Sequence, residues 1–290
     1  MLYRQSIRWA KLPDARPALD ALWPQARAAL DAIRAQYDEG RPYLTLPHRR
    51  DDLEPVHRRA QAIGQSGATD VVVLGTGGSS LGTKALMALK GPSLITAAPP
   101  RVHVPDNLGA HLMAEVLAQL DLGSTHFLAI SKSGGTAETA AQLITAYEAV
   151  AERVGATRAA DHFTMITEPG DSVFRGLAAR WGLTVLDHDP ALGGRFSVMS
   201  VVGALPALIG GVDMAAVRTG AAAVLDQAMA ADAPARVPAA AGAVLGQVAA
   251  ERGAGLSVML AYDLRLEYFM RWWSQLWAES LGKDGKGTTP

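Results

Sequence analysis

Two stretches of glycine and small hydroxyl residues, each directly after a short apolar run, carry most of the chemistry legible in this 290-residue chain. Asp70–Leu74 runs into Gly75-Thr-Gly-Gly-Ser-Ser-Leu-Gly82, and His126–Ile130 runs into Ser131-Lys-Ser-Gly-Gly-Thr-Ala-Glu-Thr139. Glycine lets a backbone come close to a bulky anion, and the N–H groups that open the following helix meet that anion with partial positive charge. Hydroxyls of Ser79, Ser131, Ser133 and Thr136 add donors, and Lys132 brings a full charge nearby. A phosphate ester suits such a cradle. One glycine turn after a strand is often only a tight connection, so the weight rests on there being two with matching chemistry.

Further along lie Gly193-Gly-Arg195 and the pair Gln275 and Glu279. The glycines before Arg195 admit two readings, a helix-start turn with a solvated guanidinium or a cation held for a ligand. Gln275 and Glu279 are four residues apart on the predicted helix Leu264–Leu281 and lie opposite its apolar stripe of Leu266, Phe269, Met270, Trp273, Leu276, Trp277 and Leu281, so they can reach one ligand together. Periodicity alone leaves Glu279 either solvated or catalytic. A dinucleotide site is the rival for the first loop, because Gly75-Thr-Gly77 begins like the Rossmann fingerprint. Ser80 stands at its third glycine, however, the next strand ends at Asp106 about thirty residues on rather than about twenty, and the second hydroxyl loop has no part in that scheme.

The elements that must position these residues follow from hydrophobic period. Helical spacing covers 14–38 through Leu19, Leu22, Ala26, Leu30 and Ile33, and a shorter helix is predicted over Leu53–Ile63. From Asp70 to His188 short apolar runs at Val71–Leu74, Val102–Val104, Phe127–Ile130, Phe163–Ile166 and Leu183–Leu186 alternate with helical stretches. That alternation predicts an α/β fold, a doubly wound, mostly parallel sheet in three layers whose ligands gather at the carboxyl ends of the strands. Beyond it, the Ala-rich region Met214–Ala254 reads as helical apart from Asp232–Pro238, and a short strand is predicted at Ser257–Leu260.

Composition sets limits. Apolar residues make up 49% of the chain and the net charge is −1, which fits an ordinary globular protein and gives no global basic excess for nucleic acid. With no cysteine, disulfides, thiolate nucleophiles and Cys-ligated metals are excluded. Charges scattered behind Met1-Leu-Tyr-Arg-Gln5 leave no signal-peptide core, and the uncharged stretch Phe196–Val212 is broken by Pro206 and glycines. A cytoplasmic protein with no membrane role is expected.

Four ordered blocks, Gly75–Gly82, Ser131–Thr139, Gly193-Gly-Arg-Phe-Ser197 and Gln275-Leu-Trp-Ala-Glu-Ser-Leu-Gly-Lys283, together resemble the glucose-6-phosphate isomerase family in order and spacing. The resemblance implies an N-terminal helical cap (1–66), a first sugar isomerase domain with both phosphate loops (67–190), and connecting helices with the first part of a second, similar domain (191–290). It also assigns roles. Gly78, Ser79, Ser131, Lys132, Ser133 and Thr136 would hold the sugar 6-phosphate, Gln275 would line the sugar, Arg195 would stabilise the anionic intermediate, and Glu279 would carry the proton between C2 and C1. Aldose–ketose isomerisation needs one carboxylate above both carbons and a fixed cation beside the enediol oxygens, and it requires no metal or cofactor.

Two departures mark the loops: Thr76 follows the first glycine where an aliphatic residue is usual, and Gly135 stands where the family generally has Thr. The family's ring-opening histidine and a C-terminal lysine are expected beyond Pro290, since none of the seven histidines stands in that residue's context. The resemblance further implies a homodimer and a place in glycolysis and gluconeogenesis. A non-catalytic phosphosugar-binding module is the alternative of a different class.

Overall fold

The computed structural model describes residues 12, 14–91 and 100–290, so the N-terminal Met1–Gln5 lies outside the described residues. In chain order the helices and strands are α1 (Arg16–Asp38), α2 (Pro42–Thr45), α3 (Leu53–Gln65), β1 (Asp70–Leu74), α4 (Leu81–Ala88), β2 (Arg101–His103), α5 (Ala110–Gln119), β3 (Thr125–Ile130), α6 (Ala137–Val154), α7 (Ala156–Ala159), β4 (Phe163–Thr167), α8 (Val173–Trp181), β5 (Thr184–Asp187), α9 (Val201–Ile209), α10 (Met214–Ala230), α11 (Pro238–Glu251) and α12 (Glu267–Leu281). The chain forms two units. The larger is Arg50–Met214 with Leu260–Gln275, and the smaller is the described chain through Arg49, with Ala215–Met259 and Leu276–Pro290.

The larger unit is built on a five-stranded sheet in the order β2-β1-β3-β4-β5, every pair parallel. The expected α/β class and parallel sheet are thus present, with each of the five strands predicted between Asp70 and His188 shifted by no more than two residues at either end. Strands β1, β3 and β4 are buried along their whole length, as a parallel sheet covered on both faces requires. On one face Val72, Leu74, Phe127, Ala129, Phe163 and Met165 pack with Met113 of α5, Leu143, Ala146 and Val150 of α6, and Phe174 of α8. Phe127 and Phe163 stack there at 5.1 Å between ring centroids. The alternate residues Val71, Val73, Leu128 and Ile130 face the other way and are equally buried. On that side Arg59 of α3 donates from Nε and Nη2 to the Thr164 hydroxyl at 2.9 and 2.6 Å.

Strand order reverses between β1 and β3, because the chain goes outward from β1 to β2 and then returns to the other side of β1. Ligands of open α/β sheets gather at such a switch point, outside the carboxyl ends of the two strands. The two glycine-hydroxyl loops follow β1 and β3.

In the smaller unit α1 packs along α11, and Arg34 of α1 donates to the Ala231 carbonyl at 2.7 Å, beside the carboxyl end of α10, where a cation is favoured. Arg218 is fully buried and donates to the Arg49 carbonyl at 2.8 Å.

Two expectations need correcting. The predicted helix Leu264–Leu281 begins at Glu267, after a 3₁₀ turn at Leu264–Leu266 whose entry is capped by the Asp263 carboxylate accepting from the Arg265 N–H at 2.9 Å. The strand predicted at Ser257–Leu260 is absent: beyond one bridge pairing Leu256 with Thr289, the segment has no neighbouring strand among the described residues. Its apolar alternation is real, but Leu256, Val258, Leu260, Tyr262 and Leu264 are 71% to 95% exposed, so the pattern lacks the packing partner that makes it a strand.

Candidate functional site

The first loop is shaped by backbone contacts that only glycine allows. After β1, a 3₁₀ turn at Gly77–Ser79 leads into α4. Gly77 has φ +56°, and a Cβ on it would lie 3.1 Å from Nε2 of Gln275. A Cβ on Gly78 would come within 2.5 Å of the Gly194 carbonyl oxygen and 2.7 Å of its carbon. The first loop is therefore seated directly on the Gly193-Gly-Arg195 turn, with the Gln275 side chain against it. The Gly194 carbonyl also accepts from the Ser197 hydroxyl at 2.7 Å, which fixes the turn from within. Arg195 is half-buried, its guanidinium carbon 5.7 Å from the centre of the Phe196 ring. Ser79 is half-buried, whereas Ser80 is buried and donates to the Gly77 carbonyl at 3.1 Å.

The second loop is ordered by its own hydroxyls. Ser131, buried at the end of β3, lies 2.8 Å from the Thr136 hydroxyl and accepts weakly from the Thr136 N–H at 3.4 Å. The exposed Ser133 hydroxyl accepts from the Gly135 N–H at 3.3 Å. Gly134 has φ +63°, and a Cβ there would overlap the Ser172 side chain, so glycine is required. Gly135 has no such constraint, its nearest neighbour being the Ser133 hydroxyl at 3.9 Å, so the departure from the expected Thr leaves open space. Thr136 sits at the N-cap of the 18-residue α6, where extra acceptors are favoured by the helix dipole. The loops adjoin, since a Cβ on Gly75 would lie 3.2 Å from the Ile130 carbonyl oxygen at the end of β3.

Lys132 is held at the rim of this loop. Its ammonium pairs with Glu168 at 3.2 Å and donates to the Pro190 carbonyl at 2.9 Å, joining the carboxyl ends of β3, β4 and β5. Glu168, the Pro190 carbonyl and the neighbouring His188 are absent from the residue-based reading. Glu168 and His188 each lie two residues beyond the end of a predicted strand, so the rule that parallel strands gather ligands at their carboxyl ends was a usable signal for both.

Of the anticipated residues, Gly78, Ser79, Arg195, Gln275, Ser131, Lys132, Ser133 and Thr136 all lie in the larger unit. Within it the first loop, the Arg195 turn and Gln275 meet, and the second loop stands beside the first. Glu279 follows one turn after Gln275 on α12, is exposed, and belongs to the smaller unit. No group of three or more His, Asp or Glu side chains able to hold a metal ion occurs among the described residues, and no described helix is long and apolar enough to cross a membrane.

A family model described as phosphoglucose isomerase matches residues 56–288. A glucose-6-phosphate isomerase of Rubrobacter xylanophilus is 36% identical over 277 residues, covering 94% of this chain and 63% of its own length. One from Carboxydothermus hydrogenoformans is 30% identical, covering 91% and 58%. Among solved structures, a hypothetical protein of Thermus thermophilus superposes with a TM-score of 0.80 at 30% identity over 96% of this chain and 66% of that one. A glucose-6-phosphate isomerase of Chlamydia trachomatis gives a TM-score of 0.65 at 27% identity, over 86% and 50%. The chain spans about three fifths of the length of the relatives it matches.

Proposed function

The chain belongs to the phosphoglucose isomerase family, and on that footing we propose that it serves an aldose–ketose isomerase interconverting glucose 6-phosphate and fructose 6-phosphate through an enediol. The observation that carries this reading is the seating of Gly78 on the Gly194 carbonyl, which makes the first anion loop and the Arg195 turn a single piece with Gln275 against it. An anion cradle alone fits any phosphate ester. A cradle locked to a guanidinium-bearing turn fits one whose reaction also builds negative charge away from the phosphate.

Each residue then has a physical task. Backbone and hydroxyl donors of Gly78, Ser79, Ser131, Ser133 and Thr136, with the charge of Lys132, bind the 6-phosphate. That binding is remote from the reacting carbons and serves to hold them in place. Glu279 takes the weakly acidic proton from C2 and returns it to C1. Arg195 faces the enediol oxygens, where fixed charge is most effective because it needs no reorganisation as the reaction proceeds. Gln275 fixes sugar hydroxyls. The same reading takes residues 191–290 as connecting helices and the first part of a second sugar isomerase domain, and it expects a cytoplasmic homodimer acting in glycolysis and gluconeogenesis.

The test is interconversion of fructose 6-phosphate and glucose 6-phosphate by this chain and by a version extended to the length of its relatives, each with Glu279→Gln. Loss of a general base costs about 10²- to 10⁴-fold in rate, so the extended protein is expected to turn over and its Glu279→Gln variant to lose that activity. Phosphosugar binding with no turnover in any form would replace the isomerase by a phosphosugar-binding module.

A further inference from the structure

Beyond β5 lies a titratable group that the proposed reaction does not use. His188 directly follows β5, is 1% exposed, and donates its backbone N–H to the Thr167 carbonyl at 2.9 Å. Its ring Nδ1 lies 2.8 Å from the Asp189 carbonyl oxygen. A carbonyl only accepts, so Nδ1 carries the proton, and in the neutral ring Nε2 is a bare lone pair. That Nε2 is buried with no hydrogen-bond partner in the structure, whereas buried polar atoms are nearly always paired.

The charged groups around it come from three strand ends and one helix. Lys132 follows β3 and pairs with Glu168, which follows β4. Asp189 is the next residue in the chain. Arg175 of α8 donates to the Glu168 and Thr167 carbonyls at 3.0 and 3.3 Å and pairs with Asp187. Burial chiefly lowers the affinity of the His188 ring for a second proton, and the Lys132 ammonium adds to that; the Asp189 carbonyl and the Glu168 and Asp189 carboxylates oppose it. A dianion entering the loop beside Lys132 would offset the ammonium's field and favour a cation at Nε2.

Resting on the phosphosugar reading above, we propose that His188 is a positioning residue that acts through Lys132, taking a proton from solvent onto Nε2 when a phosphate ester fills the Ser131–Thr136 loop. One N–H bond forms, and the proton comes from buffer. Protonation adds a positive charge two residues from the Pro190 carbonyl that holds the Lys132 ammonium, and the loop grips its anion more tightly at lower pH than its own donors account for.

The probe is glucitol 6-phosphate, which has no carbonyl to isomerise. Calorimetry at pH 6.5 in two buffers of different ionisation enthalpy counts the protons taken up per ligand bound, for the wild type and for His188→Asn, whose amide can still donate to the Asp189 carbonyl. Greater uptake by the wild type is expected, with an affinity ratio between pH 6 and pH 8 up to about tenfold larger than the variant's. ¹⁵N spectra of the wild-type imidazole read the same event without any substitution, and should show Nε2 gaining a proton on binding. Binding with equal uptake in both proteins, or an Nε2 that stays bare in the complex, would overturn this inference and leave the phosphosugar reading standing. No binding by either protein would overturn both.

Discussion

Gly78 and Gly135 sit in the first and second glycine-hydroxyl loops, yet they face opposite constraints. A methyl on Gly78 would be driven into the Gly194 peptide, where the obstacle is backbone and has no rotamer to escape to. Gly78→Ala is therefore expected to cost about 1–3 kcal/mol, the usual penalty for forcing extra volume into a packed site. It should also weaken phosphosugar binding, because the Arg195 turn must move. Gly135→Ala meets nothing closer than the Ser133 hydroxyl at 3.9 Å and should change stability by no more than about 0.5 kcal/mol, as exposed substitutions do. Chemical denaturation of the two variants checks the contrast, and equal losses would show that the close approach of Gly78 to Gly194 does not hold in solution.

At the scale of elements, the contact between α3 and the sheet carries a pH dependence. Thr164 accepts from Arg59, and its hydroxyl lies 2.9 Å from Nε2 of His126 on β3. That ring is buried and neutral. Burial above all, with the charges of Arg59 and His162, holds its pKa down to about 3, against the Asp161 backbone hydrogen bond. Once unfolded, the same ring binds a proton near its ordinary value of 6.5. Between those values the unfolded chain holds more protons, so stability rises with pH, and falls on acidification by up to about 1.4 kcal/mol per pH unit. Asp70 adds to the loss further down. Burial pushes its carboxyl up, but hydrogen bonds from Arg101, His103 and Thr69 and the charge of Arg101 outweigh that and hold it at about 2, so its contribution fades as pH drops below 3.8. Urea midpoints between pH 7 and pH 4.5 should fall steadily in the wild type and less steeply in His126→Gln; parallel slopes would remove His126 as the cause.

The elements themselves were largely legible in the sequence. A short apolar run such as Val71–Leu74 with its flanking turn has few alternatives inside an α/β alternation, and both glycine-hydroxyl loops announce themselves by residue type. What sequence could not supply was contact across the chain. Nothing in the spacing of Gly78 and Gly194, far apart along the chain, says that one lies against the other. Nothing in the composition around His188 says that its Nε2 is buried without a hydrogen-bond partner. The predicted strand at Ser257–Leu260 failed for the same reason, since alternation specifies a strand only when a neighbour exists to pair with it.

At the scale of the whole molecule, the ladder of Leu256, Val258, Leu260, Tyr262 and Leu264 has a thermodynamic signature. The heat capacity of unfolding comes mainly from apolar surface that meets water only when the chain unfolds, and globular proteins give about 12–15 cal/mol/K per residue. Side chains already 71% to 95% exposed in the native state contribute almost nothing to that change. Calorimetry of this chain should return a value about 1 cal/mol/K per residue lower than burial of these five side chains would give. Such a chain has a flatter stability curve, with stability that varies less with temperature on either side of its maximum than its length alone would predict.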